Sequence, residues 1–332
     1  MPRAITREYA DPLDAIWIGA ARRIGLTVRR TPDAFATTDG RGALAIGTAE
    51  TLDPDDCLAQ MIFHELCHSL VQGPESFDAV DWGLCNESAR DLSAEHACLR
   101  TQAWLASRVG LRRVLAPTTE HRAFFDRLGD DPLSGDAPEL SRARRAVVYA
   151  GRPPWAPHLM DALEATAAVA RAAAPFVDEG SLLAAIDAPR PRHPAGGWAH
   201  PASDGRCGGC AWRGDRCVVR GAPVQAEWPA CEAFEAALDC RACGACCREG
   251  FDVVELSDDE SFVSEHSDLV KRIGGRWVLQ RIDGRCPPLT GDGVETSFTC
   301  AVYDDRPRSC RDLPKGGDSC LLARRRVGLS AG

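Results

Sequence analysis

The chain has 332 residues, 45% hydrophobic and 26% charged, with a formal net charge of -9 and 16 cysteines. That is long enough for two or three domains of roughly 150 residues and apolar enough for an ordinary core, which excludes wholesale disorder. The acidic balance gives no electrostatic footprint for nucleic acid, and the longest apolar stretch, around 165–177, is broken by Arg171 and Pro175, short of the ~20 residues of a membrane span. The first 30 residues place Asp, Glu and Arg where a signal peptide needs a continuous apolar run, so a cytoplasmic protein is expected.

Taken in chain order, Leu13, Ile16, Trp17, Ile18, Ala21 and Ile24 recur at helical spacing, and Gly25 stands where a C-cap belongs. Strand-like runs follow at 26–29 and 43–46, separated by the turn-rich Thr38-Asp39-Gly40-Arg41-Gly42. A helix is predicted with Asp53 as N-cap, Pro54 at its first position, apolar residues through Val71 and Gly73-Pro74 as its stop. Further helices are expected over 87–109, 138–150 and 157–187, the last broken near Pro175. Residues 189–204, rich in Pro and Gly, read as a linker. Beyond it Cys, Gly, Asp and Arg dominate, and such a region needs metal in place of the core it lacks. The expected fold class is α+β. Its divisions are a domain over 1–130, a helical segment over 131–188, a linker over 189–206, a four-cysteine module over 207–236 and a metal-stabilised cysteine-rich region over 237–325.

Residues 64–68 read His-Glu-Leu-Cys-His. Positions i and i+4 share a helix face, so His64 and His68 can aim two imidazoles at one cation, with Glu65 beside them to act on water. Met61, Ile62, Phe63, Leu66 and Leu70 make this a buried helix, where two ionisable rings need a partner. A catalytic zinc needs a third protein ligand. Downstream, Glu87, Asp91 and Glu95 are spaced i, i+4 and i+8. Glu95 shares a face with Leu92 and Leu99, where a buried carboxylate would need a cation, so it is preferred slightly over Glu87. His121 is a candidate for stabilising an oxyanion. Cys57, Cys67, Cys85 and Cys98 read as buried thiols acting as small hydrophobes. Over about residues 10–125 the pattern resembles HExxH zincin metallopeptidases of the gluzincin type. The resemblance implies a zincin-like domain, Zn2+ held by His64, His68 and a glutamate, catalytic Glu65, and a protein or peptide substrate.

Twelve of the 16 cysteines fall between Cys207 and Cys320. In a reducing compartment such clusters bind metal or do redox chemistry more often than they form disulfides. Cys207-x2-Cys210-x6-Cys217-x13-Cys231 can close a tetrahedral zinc site or hold a [4Fe-4S] cluster. Cys240, Cys243 and Cys246 then reproduce the C-x2-C-x2-C start of a ferredoxin-type run, and adjacent Cys247 cannot easily serve the same metal in identical geometry. Cys286, Cys300, Cys310 and Cys320 complete eight thiols, enough for two four-ligand sites. Tyr303, Arg306 and Arg311 read as supporting groups. From 237 to 325, the opening cluster, the Asp283-Gly284-Arg285-Cys286 step and the segment from Cys300 through Arg311 resemble the zinc- or iron-chelating CxxCxxCC family (YkgJ-like). That resemblance implies metal chelation with the reaction undefined. Two functions stay open: a zinc-dependent hydrolase, or a non-hydrolytic iron-sulfur or metal-chelating protein in metal handling, electron transfer or partner modification.

Overall fold

The computed structural model describes residues 6–85, 91–293 and 296–330, and the chain divides into two compact units, Met1–Pro191 and Arg192–Gly332. The first unit is mostly helical with one small sheet and the second holds short helices and small sheets, an α+β architecture. Among the described residues no helix is long and apolar enough to cross a membrane.

The first unit begins with α1 (Pro12–Ile24), whose N-terminus is capped by Asp11 accepting from the N–H of Leu13 and Asp14, and which ends at Gly25 with φ 112°. Strands β1 (Thr27–Thr31), β2 (Ala36–Thr38) and β3 (Ala43–Gly47) form a sheet of order β1-β3-β2, with β1 parallel and β2 antiparallel to β3. Leu44 and Ile46 alternate onto its buried face.

Helix α2 (Leu58–Gln72) carries the His-Glu-Leu-Cys-His motif and is buried along most of its length. Its start differs from the expected one. Asp53 and Asp56 close a turn on each other, the Asp53 N–H reaching the Asp56 carboxylate at 2.9 Å, and the helix is instead capped by the Cys57 sulfur, which accepts from the Gln60 N–H at 3.4 Å. Gly73 ends it, as expected. Helix α3 (Leu92–Val109) follows, then α4 (Arg122–Arg127), α5 (Leu140–Ala150) and α6 (His158–Ala173). The helix expected over 157–187 stops at Ala173, and 3-10 turns at Ala174–Phe176 and Leu182–Ala185 take its place. The expected start of α3 near 87 lies outside the described residues.

Segment 131–188 belongs to this first unit, because α5 packs on α2 and α3 while α6 packs on α1 and α3. Trp17 of α1 donates to Thr166 of α6 at 2.9 Å, and Trp155 donates to Ser69 of α2 at 2.8 Å. Trp155 also begins an aromatic path: its ring lies 5.6 Å from Phe77, whose ring lies 5.5 Å from Trp82.

In the second unit, residues 192–204 are folded rather than extended as a linker. Arg192 bridges Trp198, Ala199 bridges Cys231, and the His200 N–H reaches the Ala230 carbonyl at 2.8 Å. The Pro and Gly content makes a tight hairpin, with Gly196 and Gly197 both at positive φ. Short elements follow: α7 (Cys240–Cys243), β4 (Val254–Leu256), α8 (Ser261–Glu265), β5 (Val270–Ile273), β6 (Arg276–Leu279), β7 (Leu289–Thr290), β8 (Thr299–Cys300), α9 (Arg308–Arg311) and α10 (Asp318–Arg326). Strands β4, β6 and β5 pair antiparallel in that order, and β7 pairs with β8. Small apolar clusters replace one large core, and Cys286 and Cys320 are buried members of two of them.

Trp155 is fully buried against the motif helix. Trp155→Ala is expected to cost the first unit about 3–5 kcal/mol, read as a lowered midpoint in urea denaturation.

Candidate metal centres

One turn of α2 brings His64 and His68 onto the same face, and their Nε2 atoms stand 3.1 Å apart. Glu95, in the first turn of α3, brings its carboxylate to the same point: Oε2 lies 3.2 Å from His68 Nε2 and Oε1 3.8 Å from His64 Nε2. Glu95 Oε1 is buried and has no hydrogen-bond partner. Glu87, the alternative third ligand, lies outside the described residues. Asp91 sits at the N-cap of α3 and accepts from the Cys85 N–H at 2.8 Å.

The orientation of His64 is set by a residue the motif does not include. Gln102 Nε2 donates to the Leu115 carbonyl at 2.7 Å, which leaves Gln102 Oε1 as the acceptor facing His64 Nδ1 at 2.9 Å. His64 Nδ1 therefore carries the proton, and the lone pair of Nε2 is turned toward His68 and Glu95. This is how proteins fix the tautomer of a metal-ligating imidazole. Glu65 is likewise held, its Oε2 accepting from Trp82 Nε1 at 2.8 Å. Trp82 and Asp81 have φ of 57° and 48°, a left-handed pair that costs roughly 1–3 kcal/mol per residue. Asp81 is anchored by Thr37 and the Thr38 N–H, at 2.7 and 3.0 Å from its Oδ1.

Electrostatics mark the same point. Burial alone would raise Glu95, yet its hydrogen bond to His68 and the charges of His64, His68 and His121 hold it down to about 2. Burial alone would lower His68, and the Glu95 carboxylate with Glu65 outweighs it and raises the ring. His121 thus lies within electrostatic reach of Glu95, while His96 is stacked on Phe124 at 3.8 Å. Cys98 also approaches, and His64, His68 and Cys98 offer donor atoms within 4.8 Å of one another. Its sulfur, however, lies on the Nδ1 side of His64, 3.6 Å from the His64 carbonyl, and burial pushes its thiol well up, so it stays a protonated donor. Glu95, by contrast, places its carboxylate on the Nε2 side of both rings.

In the second unit, Cys207, Cys210, Cys217 and Cys231 line one cavity together with His193, Arg213 and Phe234. His193, which the sequence places in a linker, is 3% exposed. Its Nδ1 accepts the Ala195 N–H at 3.1 Å, so the neutral ring carries its proton on Nε2, 3.3 Å from Cys207 Sγ. Burial and then the charge of Arg220 push the ring's pKa down, against the pull of the Pro229 carbonyl, which keeps it neutral. His193 is therefore an N–H donor to the Cys207 sulfur and not a ligand. Arg220 plays a similar part at Cys231 while pairing with Glu232 at 3.3 Å.

The CxxCxxCC segment opens with α7, capped by Asp239 and ended by Gly244 at φ 57°, where a side chain would meet the Phe298 ring at 2.5 Å. The turn Ala245–Cys247 follows directly. Burial first, then neighbouring thiols, push Cys246 and Cys286 up to about 12 and Cys310 to about 11. Sulfurs that suppress one another's ionisation in this way are a donor set suited to a cation, because binding requires and stabilises the thiolates. Arg281, which the sequence did not single out, has Nε and Nη1 buried without a hydrogen-bond partner, while Nη2 donates to the Cys246 carbonyl at 2.5 Å. Arg306 stacks on Tyr303 at 3.6 Å, and Tyr303 is exposed, a packing role at the rim.

A family model described as CxxCxxCC, "Putative zinc- or iron-chelating domain", matches residues 239–325. No curated protein and no solved structure matches the chain. The match and the gathered thiols agree on metal binding by this segment.

In metal-free protein, the lowered Glu95 stabilises the fold above its ordinary pKa of 4.5, and that contribution is lost as pH falls toward about 2. The raised His68 stabilises it below its ordinary 6.5, a contribution lost as pH rises through the raised value. Glu95→Gln is therefore expected to lower the melting temperature most at about pH 5–6, and less at pH 8 or pH 3, in melts with chelator present. In metal-loaded protein, His193→Phe should raise the alkylation rate of Cys207 several-fold above those of Cys210, Cys217 and Cys231, with His193→Gln partly restoring it. Peptide mass spectrometry reads this, and equal rates at all four thiols would contradict the donor role.

Proposed function

We propose that the protein is a multi-metal protein in which the cysteine-rich unit chelates zinc or iron and the first unit is a zincin-type zinc hydrolase. The observation that carries the hydrolase reading is the convergence of His64 Nε2, His68 Nε2 and the Glu95 carboxylate, with the His64 tautomer fixed by Gln102 and one Glu95 oxygen left without a hydrogen bond. Two imidazoles and one carboxylate are a ligand set of catalytic zinc sites, which keep a further position open. Zinc held there supplies Lewis acidity toward a carbonyl and lowers the pKa of water.

The chain's own residues supply the rest. Glu65 is next to a ligand on α2, and with Oε2 tied to Trp82 its other oxygen is free to take a proton from water and return it to a leaving amine. His121, half-exposed and electrically coupled to Glu95, is the group suited to stabilise developing negative charge. A protein or peptide is the substrate class this arrangement suits.

The match of residues 239–325 to a chelating family favours a second reading, in which the metals serve handling, electron transfer or modification of a partner without hydrolysis. Glu65→Gln separates the two. Under the hydrolase reading, kcat on a peptide library falls by about 10²- to 10⁴-fold while elemental analysis finds zinc retained. Unchanged turnover with zinc retained would sink the hydrolase and leave the chelator.

A further inference from the structure

The eight cysteines between 240 and 320 are brought into two separate neighbourhoods, and the dividing line falls between adjacent residues. Cys246 and Cys247 end a 3-10 turn, in which consecutive side chains point roughly 120° apart. They leave the backbone toward different neighbours.

On one side, Cys240 and Cys243 stand at i and i+3 on α7 and so share a face. Gly244 reverses the chain at its left-handed φ and returns Cys246 toward them. Helix α10 packs on the Ala245–Cys247 turn, and Cys243 and Cys246 lie against the cluster containing its Ala323. Cys320 is one helical turn before Ala323 on that face and is buried.

On the other side, the Cys247 carbonyl accepts the Cys286 N–H at 2.7 Å. Cys247 and Cys286 belong to the apolar cluster of Leu256, Phe262 and Leu279, which also takes in Leu289 and Val302. Leu289 of β7 is the register partner of Cys300 in β8. Cys310 arrives on α9, which packs on β4, the strand that supplies Leu256.

We propose that this segment holds two four-thiolate metal sites, one built from Cys240, Cys243, Cys246 and Cys320 and the other from Cys247, Cys286, Cys300 and Cys310. The partition rests on the chelating reading of residues 239–325 and gives it a ligand assignment.

Arg281 stands beside the second set, its Nη2 donating at 2.5 Å to the carbonyl of Cys246, the residue before Cys247. The two unpartnered buried N–H atoms of Arg281 are donors suited to thiolates of the second set.

The test uses the full-length wild-type chain, stripped of metal and reloaded with zinc alone in sub-stoichiometric steps. Free thiols are alkylated at each step, and mass spectrometry of intact molecules and large fragments reads which cysteines are protected together. The expected result is partly loaded molecules in which the protected thiols of this segment are one quartet or the other. Mixed quartets, or molecules in which all eight thiols become protected in a single step, would overturn the partition. Cys320→Ser and Cys300→Ser give a second readout: each should expose only its own set and lower the zinc bound by one site. If the wild-type thiols react equally with and without zinc, the chelating reading itself fails, and the partition falls with it.

Discussion

Donor atoms that repel one another can be crowded into a small volume only if something positive is shared among them. Both units are arranged around this constraint. In the first, a carboxylate is buried against two imidazole nitrogens, and without metal a proton must sit between them, which is why His68 is raised and Glu95 lowered together. In the second, burial first and then neighbouring thiols push Cys246 and Cys286 up to about 12, so the unmetallated protein holds them as neutral groups. A metal taken up by the thiols of the second unit would displace those protons, and folding of the surrounding chain would be linked to that exchange.

The units meet this demand with different resources. The first has an apolar interior of Trp17, Phe63, Leu66, Leu70 and Leu99, and α2 packs on α3 through it. Gln102 holds His64, and Trp82 holds Glu65. Among its described residues the second has three small clusters, and cysteines are themselves part of the packing. For such a chain the free energy of binding metal is a large part of the free energy of folding.

What the sequence disclosed follows from how local the information is. The pair His64 and His68 was legible because i and i+4 fix a helix face regardless of context. Glu95 was legible because a carboxylate in an apolar helical stripe needs a reason. Gln102 could have been found by the same argument, since it lies seven residues beyond Glu95 on the same face of α3, as a buried amide. Trp82 had no such signal: it reaches Glu65 through a left-handed loop that only tertiary structure defines. The start of α2 was misplaced because Asp53-Pro54 is a sound capping pair in isolation, yet the Asp56 side chain draws Asp53 into a turn of its own. Residues 192–204 looked like a linker because Pro and Gly serve flexible chains and tight hairpins alike. The grouping proposed for the eight thiols was invisible because it joins members of the CxxCxxCC segment to cysteines 39 to 80 positions away, while it divides the closest pair in sequence, Cys246 and Cys247.

The anchoring of Asp81 has a consequence for the sheet as well as for Glu65. Strand β2 is the edge of its sheet, and an edge offers unpaired N–H groups to any extended chain that aligns with it. Here the Thr38 N–H is already taken by Asp81, and Asp39 bridges Val80, so the loop lies along that margin like an added strand. That loop also carries Trp82, so the contacts that close the sheet margin and the one that holds the Glu65 carboxylate share a single fastening.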